Sequence, residues 1–341
     1  MPLPPPTPPI CEHLTIPLPT SPPFRLAYID SPPSPPLTQK GVIVLLHGFP
    51  QTSHQYRHVT THFSVAGYRV LAPDYRGAGA SSKPCSGFTK SIMARDIVLL
   101  LDALGIVSPI HIVGHDIGGM IAYALASLYP ERVASVVWGE CPLPGTAVYQ
   151  ENRTGRAVQQ FHFIFHSVLN LPEALVAGRE RIYLNHFFSK LIYNTAAISS
   201  EVLDHYAECY SQPGAMRCAF ELYRAFETDA EENQERLRQF GKCKVPAMAL
   251  SGEKSAHKSE AFKMFQEVHE TFDLIALRGA GHYIAEENPE GFVHEVLSFV
   301  KHHRYALAVW VNDTFCGCTH DFCSKLKSSK LKKGFKARLT S

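Results

Sequence analysis

Four short apolar runs, Val42–Leu46 (VIVLL), Arg69–Pro73 (RVLAP), Ile110–Gly114 (IHIVG) and Val133–Trp138 (VASVVW), most constrain what this chain can fold into. Each is bounded by Gly, Pro or charge, and helical patterns such as Ile92–Leu104 and Gly119–Leu128 lie between them. Buried strands alternating with helices predict an α/β fold, a mostly parallel sheet covered on both faces.

The rhythm breaks between residues 142 and 238, where the chain is aromatic-rich and helical in period with no clear strand. It resumes with Val245–Gly252, a helix near Ser259–Thr271, Asp273–Leu277 and a last helix at Glu290–Lys301. Neither flank alone completes a sheet, so the helical block is expected to be a cap inserted into one domain. The expected division is a Pro-rich segment (1–23), a first core part (24–141), the cap (142–238), a second core part (239–303) and a tail (304–341). The Pro-rich stretches should be extended coil or edge structure, with a strand at Phe24–Ile29. In the tail, Cys316, Cys318, His320 and Cys323 lack the usual zinc-finger spacing, and the lysine-rich end reads as disordered.

A net charge of +2 does not indicate a nucleic-acid partner for the main body. The nine cysteines show no framework spacing, which suits a reducing compartment, and no apolar run reaches membrane-spanning length. The proline-rich start does not resemble a secretory leader. A cytoplasmic protein is expected, with a homodimer left open.

The stretch IHIVGHDIGGM, residues 110–120, has the layout of a nucleophile elbow, with Asp116 where the common G-x-S-x-G form carries serine. Gly114 and Gly118 supply the small neighbours that a strained central residue needs. The competing reading is an ordinary helix N-cap aspartate. The loop LLHGFPQT (45–52) can present the Phe49 N–H, which with that of Ile117 would form an oxyanion hole. His47 would brace this loop. His282, in the Gly-rich loop RGAGHYIAEENPE (278–290), stands where the general base belongs in the order nucleophile, acid, base. In chains of this layout the acid commonly follows the strand after the cap, but that position falls at about Ser255, which cannot support an imidazolium. Glu140, at the end of the strand before the cap, is the favoured acid, with Glu253 the alternative.

Together these residues resemble the α/β-hydrolase superfamily, in its epoxide hydrolase and haloalkanoate dehalogenase branch, over roughly residues 24–302. The blocks HGFPQTSHQYR (47–57), DYRGAGASSKP (74–84) and GHDIGGM (114–120) carry the likeness. The resemblance implies an α/β-hydrolase fold, Asp116 as nucleophile and His282 as the base that activates water. An acid before the cap resembles the fluoroacetate dehalogenase arrangement, with Glu140 in place of its Asp. Those enzymes carry arginines one and four residues after the nucleophile, where this chain has Ile117 and Met120, so no substrate-carboxylate clamp is expected. Their cap His-Trp pair is matched by Phe161 and His162. Their cap Tyr is matched by Tyr223, and epoxide hydrolases use such tyrosines to donate to the epoxide oxygen. For the second donor His162, His166 and Tyr183 remain open.

An aspartate attacking an ester would form a mixed anhydride, whereas attack on saturated carbon leaves a stable alkyl ester. The chain therefore reads as a hydrolase of small hydrophobic epoxides, needing no cofactor or metal. A dehalogenase of a non-carboxylate substrate is the first alternative, and a non-catalytic ligand-binding protein of this fold the second.

Overall fold

The computed structural model describes residues 11–20, 22–34, 38–156 and 158–303. Their eight strands are β1 (Glu12–Leu18), β2 (Phe24–Ser31), β3 (Val42–Leu46), β4 (Arg69–Asp74), β5 (Ile110–His115), β6 (Val133–Gly139), β7 (Ala247–Gly252) and β8 (Phe272–Leu277). They form one sheet in the order β1-β2-β4-β3-β5-β6-β7-β8. β2 runs antiparallel to both β1 and β4, and every pairing from β4 to β8 is parallel. The chain is thus of the α/β class expected. The sheet begins inside the segment read as coil or edge structure. β1 is an edge strand whose Pro17 faces Arg25, a place where a missing N–H is tolerated.

Parallel neighbours require crossovers, supplied here by helices. Before the cap these are α1 (Thr60–Val65), α2 (Lys90–Ala103) and α3 (Ile117–Leu128). Between β6 and β7 come α4 (Ala147–Gly155), α5 (Phe161–Ser167), α6 (Leu171–Val176), α7 (Glu180–Leu191), α8 (Ser200–Ser211), α9 (Ala215–Arg224) and α10 (Phe226–Phe240). After them follow α11 (Lys258–Val268), α12 (Ile284–Glu287) and α13 (Pro289–His302). β6 and β7 pair directly, Val136 opposite Ala247, so the block α4–α10 is inserted without interrupting the sheet.

Side-chain alternation along β3 divides the core. Val42, Val44 and Leu46 join Ile97 and Leu100 of α2 and Ile121 and Leu125 of α3 on one face. Ile43 and Leu45 meet Phe63 of α1 and Phe292, Val296 and Val300 of α13 on the other. The helical insertion is tied down by a buried ion pair between Lys90 and Asp229 at 2.7 Å. The same carboxylate accepts the Lys90 N–H, and Lys90 Nζ donates to the Leu222 carbonyl, which anchors the α9–α10 corner beside Tyr223. Among the described residues no helix is long and apolar enough to cross a membrane. The Cys316–Cys323 group and the basic tail lie outside the described residues, as does most of the Pro-rich start.

Candidate active site

β5 ends at His115, α3 begins at Ile117, and Asp116 between them is held at φ 53° and ψ −121°. For a non-glycine residue this is strained backbone, kept in place by its surroundings. A Cβ on Gly114 would lie 2.2 Å from the Gly118 carbonyl oxygen, and one on Gly118 would lie 2.1 Å from that of Leu46. Only glycine fits at these two positions while α3 packs this closely against β5 and the end of β3. Asp116 stands at the N-cap position, yet its side chain makes no capping bond to α3. Its Oδ1 instead accepts the Phe49 N–H at 3.0 Å, and the Ile117 N–H also favours its charged form. Desolvation outweighs these donors and the nearby His257, pushing the carboxyl up to about 6.

Glu140 leaves β6 at φ 64° and is buried. Its Oε1 accepts the Gly252 N–H at 2.8 Å, and its Oε2 accepts the Ser255 hydroxyl at 2.6 Å and His282 Nδ1–H at 2.9 Å. Ser255, at the position where an acid is usual, thus donates to the Glu140 carboxylate instead of carrying one. Glu253 accepts the Gly279 N–H at 3.4 Å and faces Lys254, not His282. The loop from β8 to α12 carries His282, whose carbonyl accepts from His115 Nε2 at 2.8 Å. With Nδ1–H given to Glu140, the lone pair is on Nε2. Burial, reinforced by His257, pushes His282 down to about 3, so the resting imidazole is a neutral base.

Asp116 and His282 line one cavity of about 310 Å³ with Phe49, His162, Phe163, Phe187, Leu191 and Tyr223. The Tyr223 hydroxyl has no hydrogen-bond partner among the described residues, and burial raises its pKa well above the ordinary value, keeping it a protonated donor. Its ring meets Phe49 and His162 edge-on, with centroids at 5.8 and 5.5 Å. His162 has its Nδ1 buried without a partner, and burial pushes the ring down to about 3. Tyr183 spends its hydroxyl on His166 Nε2, and neither lines the cavity. His47 stacks on Tyr75 at 4.0 Å and sits in the loop that carries Phe49. Ile117 and Met120 are core side chains.

Residues 41–154 match the family model described as alpha/beta hydrolase fold. The soluble epoxide hydrolase of Corynebacterium sp. (strain C12) is 30% identical over 283 residues, 81% of this chain and 93% of that protein. The chain belongs to the α/β-hydrolase superfamily, in its epoxide hydrolase branch. Epoxide hydrolase 4 of Mus musculus is 28% identical over 77% of this chain and 73% of its own. The solved structure of the epoxide hydrolase CorEH without ligand superposes with a TM-score of 0.76 at 25% identity, over 86% of this chain and 99% of that one. The chain is therefore a hydrolase.

This hydrolase has features near its site that the sequence pattern does not announce. His257, just before α11, lines the cavity and lies 3.4 Å from Glu260, which pairs with Arg156 at 2.7 Å. Ligand atoms of Glu140, His257 and His282 come within 4.8 Å of one another, the spacing of a metal cluster. Glu140 and His282 already spend theirs on each other, an acid–base arrangement. No motif marks His257; only its place two residues beyond Ser255 could have drawn notice.

Proposed function

We propose that this hydrolase opens epoxides to vicinal diols through a covalent ester on Asp116. The observation that carries the reading is a carboxylate, not a hydroxyl, on the elbow between the Phe49 and Ile117 N–H groups, in one cavity with His282 and Tyr223. An Asp116 oxygen attacks an epoxide carbon, and the carbon–oxygen bond breaks. The leaving alkoxide takes a proton from Tyr223, with His162 as second hydrogen-bond donor, leaving a hydroxyalkyl ester. His282 then takes a proton from water, and the hydroxide adds to the ester carbon. Glu140 supports the imidazolium that forms, while the Phe49 and Ile117 N–H groups hold the oxyanion. Collapse releases the diol alkoxide, which recovers a proton from His282; the proton left on the Asp116 carboxyl is lost to solvent as Tyr223 regains one from it.

The apolar walls formed by Phe49, Phe163, Phe187 and Leu191 favour a small hydrophobic epoxide. The six cysteines among the described residues are all free, which supports a reducing, cytoplasmic setting. A panel of epoxides, haloalkanes and carboxylic esters offered to the purified protein tests the reading. Diol formation that vanishes in Asp116→Asn is expected. Halide release without diol would transfer the site to the dehalogenase reading.

A further inference from the structure

Five residues beyond His282, at the end of α12, Glu287 is buried, and no cationic side chain pairs with it among the described residues. Its neighbour Glu286 differs, having Arg57 as counter-ion. Glu287 is held by four backbone N–H groups instead. Oε1 accepts that of Tyr283 at 2.9 Å, and Oε2 accepts those of Gly281 at 2.9 Å, Tyr193 at 2.8 Å and Asn194 at 2.7 Å. Gly281 and Tyr283 flank the base, whereas Tyr193 and Asn194 lie on the connection from α7 to α8. Two further bonds join the same segments: the His282 N–H donates to the Leu191 carbonyl at 3.1 Å, and Asn194 Nδ2 donates to the Glu287 carbonyl at 3.2 Å. The approach is close enough that a Cβ on Gly281 would meet the Leu191 carbonyl oxygen at 2.8 Å.

A carboxylate buried without a cation is costly unless hydrogen bonds satisfy it. Here that requirement is met only when the base loop and the α7–α8 connection are both in place. We infer that Glu287 is a positioning residue that makes the alignment of His282 conditional on the seating of the α7–α8 connection. Leu191 also lines the cavity, so the segment that sets the base is a wall of the substrate pocket. The kinetic consequence rests on the two-step reading above. Attack by Asp116 does not use the base, whereas hydrolysis of the ester does, so Glu287 governs the second step.

The test uses the full chain, with styrene oxide as probe, and two variants. Glu287→Gln keeps the shape and removes the charge. Tyr193→Pro removes one N–H without touching the carboxylate, and Ile192, at φ −77° and ψ 140°, already has a conformation that tolerates a following proline. Rapid-quench mass spectrometry should show alkyl-enzyme forming at the parent rate and decaying slower by roughly 10², the cost of a misplaced group. Glu287→Asp should recover part of the loss. Hydrogen exchange of the resting variants should show residues 281–283 and 191–194 losing protection together. Equal slowing of both steps, no slowing in a folded variant, or loss of protection in one segment alone would overturn the inference. A parent protein that forms no alkyl-enzyme would remove the two-step reading, and the exchange result would then decide the coupling by itself.

Discussion

Glu140 and His282 stand 142 residues apart in the chain and are joined by a 2.9 Å hydrogen bond from Nδ1–H to carboxylate. The pairing is made by β6 and the loop after β8 reaching the same edge of the sheet, with Ser255 and Gly252 fixing the remaining bonds of the carboxylate. Glu140→Gln removes the charge that supports the imidazolium. Turnover should fall by up to about 10⁴, the scale of such a loss in an aspartate–histidine pair, with alkyl-enzyme accumulating. Intact-mass spectrometry of the quenched reaction checks it. Unchanged turnover, with the stall found in Glu253→Gln, would move the acid.

Tyr223 is the partner-free phenol in the cavity, so its removal should affect the first step. Tyr223→Phe is expected to slow alkylation by about 10² to 10⁴, the usual worth of a general acid. The ester's decay should stay at the parent rate. Stopped-flow fluorescence with styrene oxide separates the two. A full alkylation rate would give the donor role to His162.

The charge on His257 lowers the pKa of both Asp116 and His282. Both groups must be deprotonated to act, so activity falls as pH drops. In His257→Gln that opposing charge is gone, both pKa values rise, and the acid limb of kcat/KM should move to higher pH. A limb that stays in place would exclude His257 from the electrostatics of the site.

Asp116 titrates near 6 in the folded chain against an ordinary 3.8. A raised carboxyl favours the folded state fully below the unfolded pKa, and that advantage is lost as pH rises through the folded value. Above about pH 6 the folded chain therefore carries the cost of a desolvated charge. Asp116→Asn should be more stable at pH 8 by up to about 3 kcal/mol, two pKa units' worth, and no more stable at pH 3. Urea unfolding at the two pH values checks both. Equal stability at pH 8 would mean that the carboxylate is not held against a desolvation penalty.

The strands, Asp116 and His282 were legible because their signals are local: an apolar run, a Gly-flanked turn, a histidine at a fixed place in the chain order. Glu140 was legible through that same order, as the carboxylate at the end of the strand before the cap. β1 falls in the stretch read as extended coil or edge structure; proline composition left those two open, because an edge position, where Pro17 is harmless, is a property of the sheet. The roles of Ser255, His257 and Glu287 depend on contacts between distant segments, for which no local period exists. The same holds inside the cap, where helix packing turns Tyr183 to His166 and leaves His162 beside Tyr223.

Single turnover in ¹⁸O-water, with enzyme in excess over styrene oxide, decides whether Asp116 forms the ester. The diol of the first turnover should be unlabelled, and peptide mass spectrometry should find the solvent oxygen in the side chain of Asp116. Label appearing at once in the diol, with none in Asp116, would mean that water attacks the epoxide directly and that the carboxylate on the elbow is not the nucleophile.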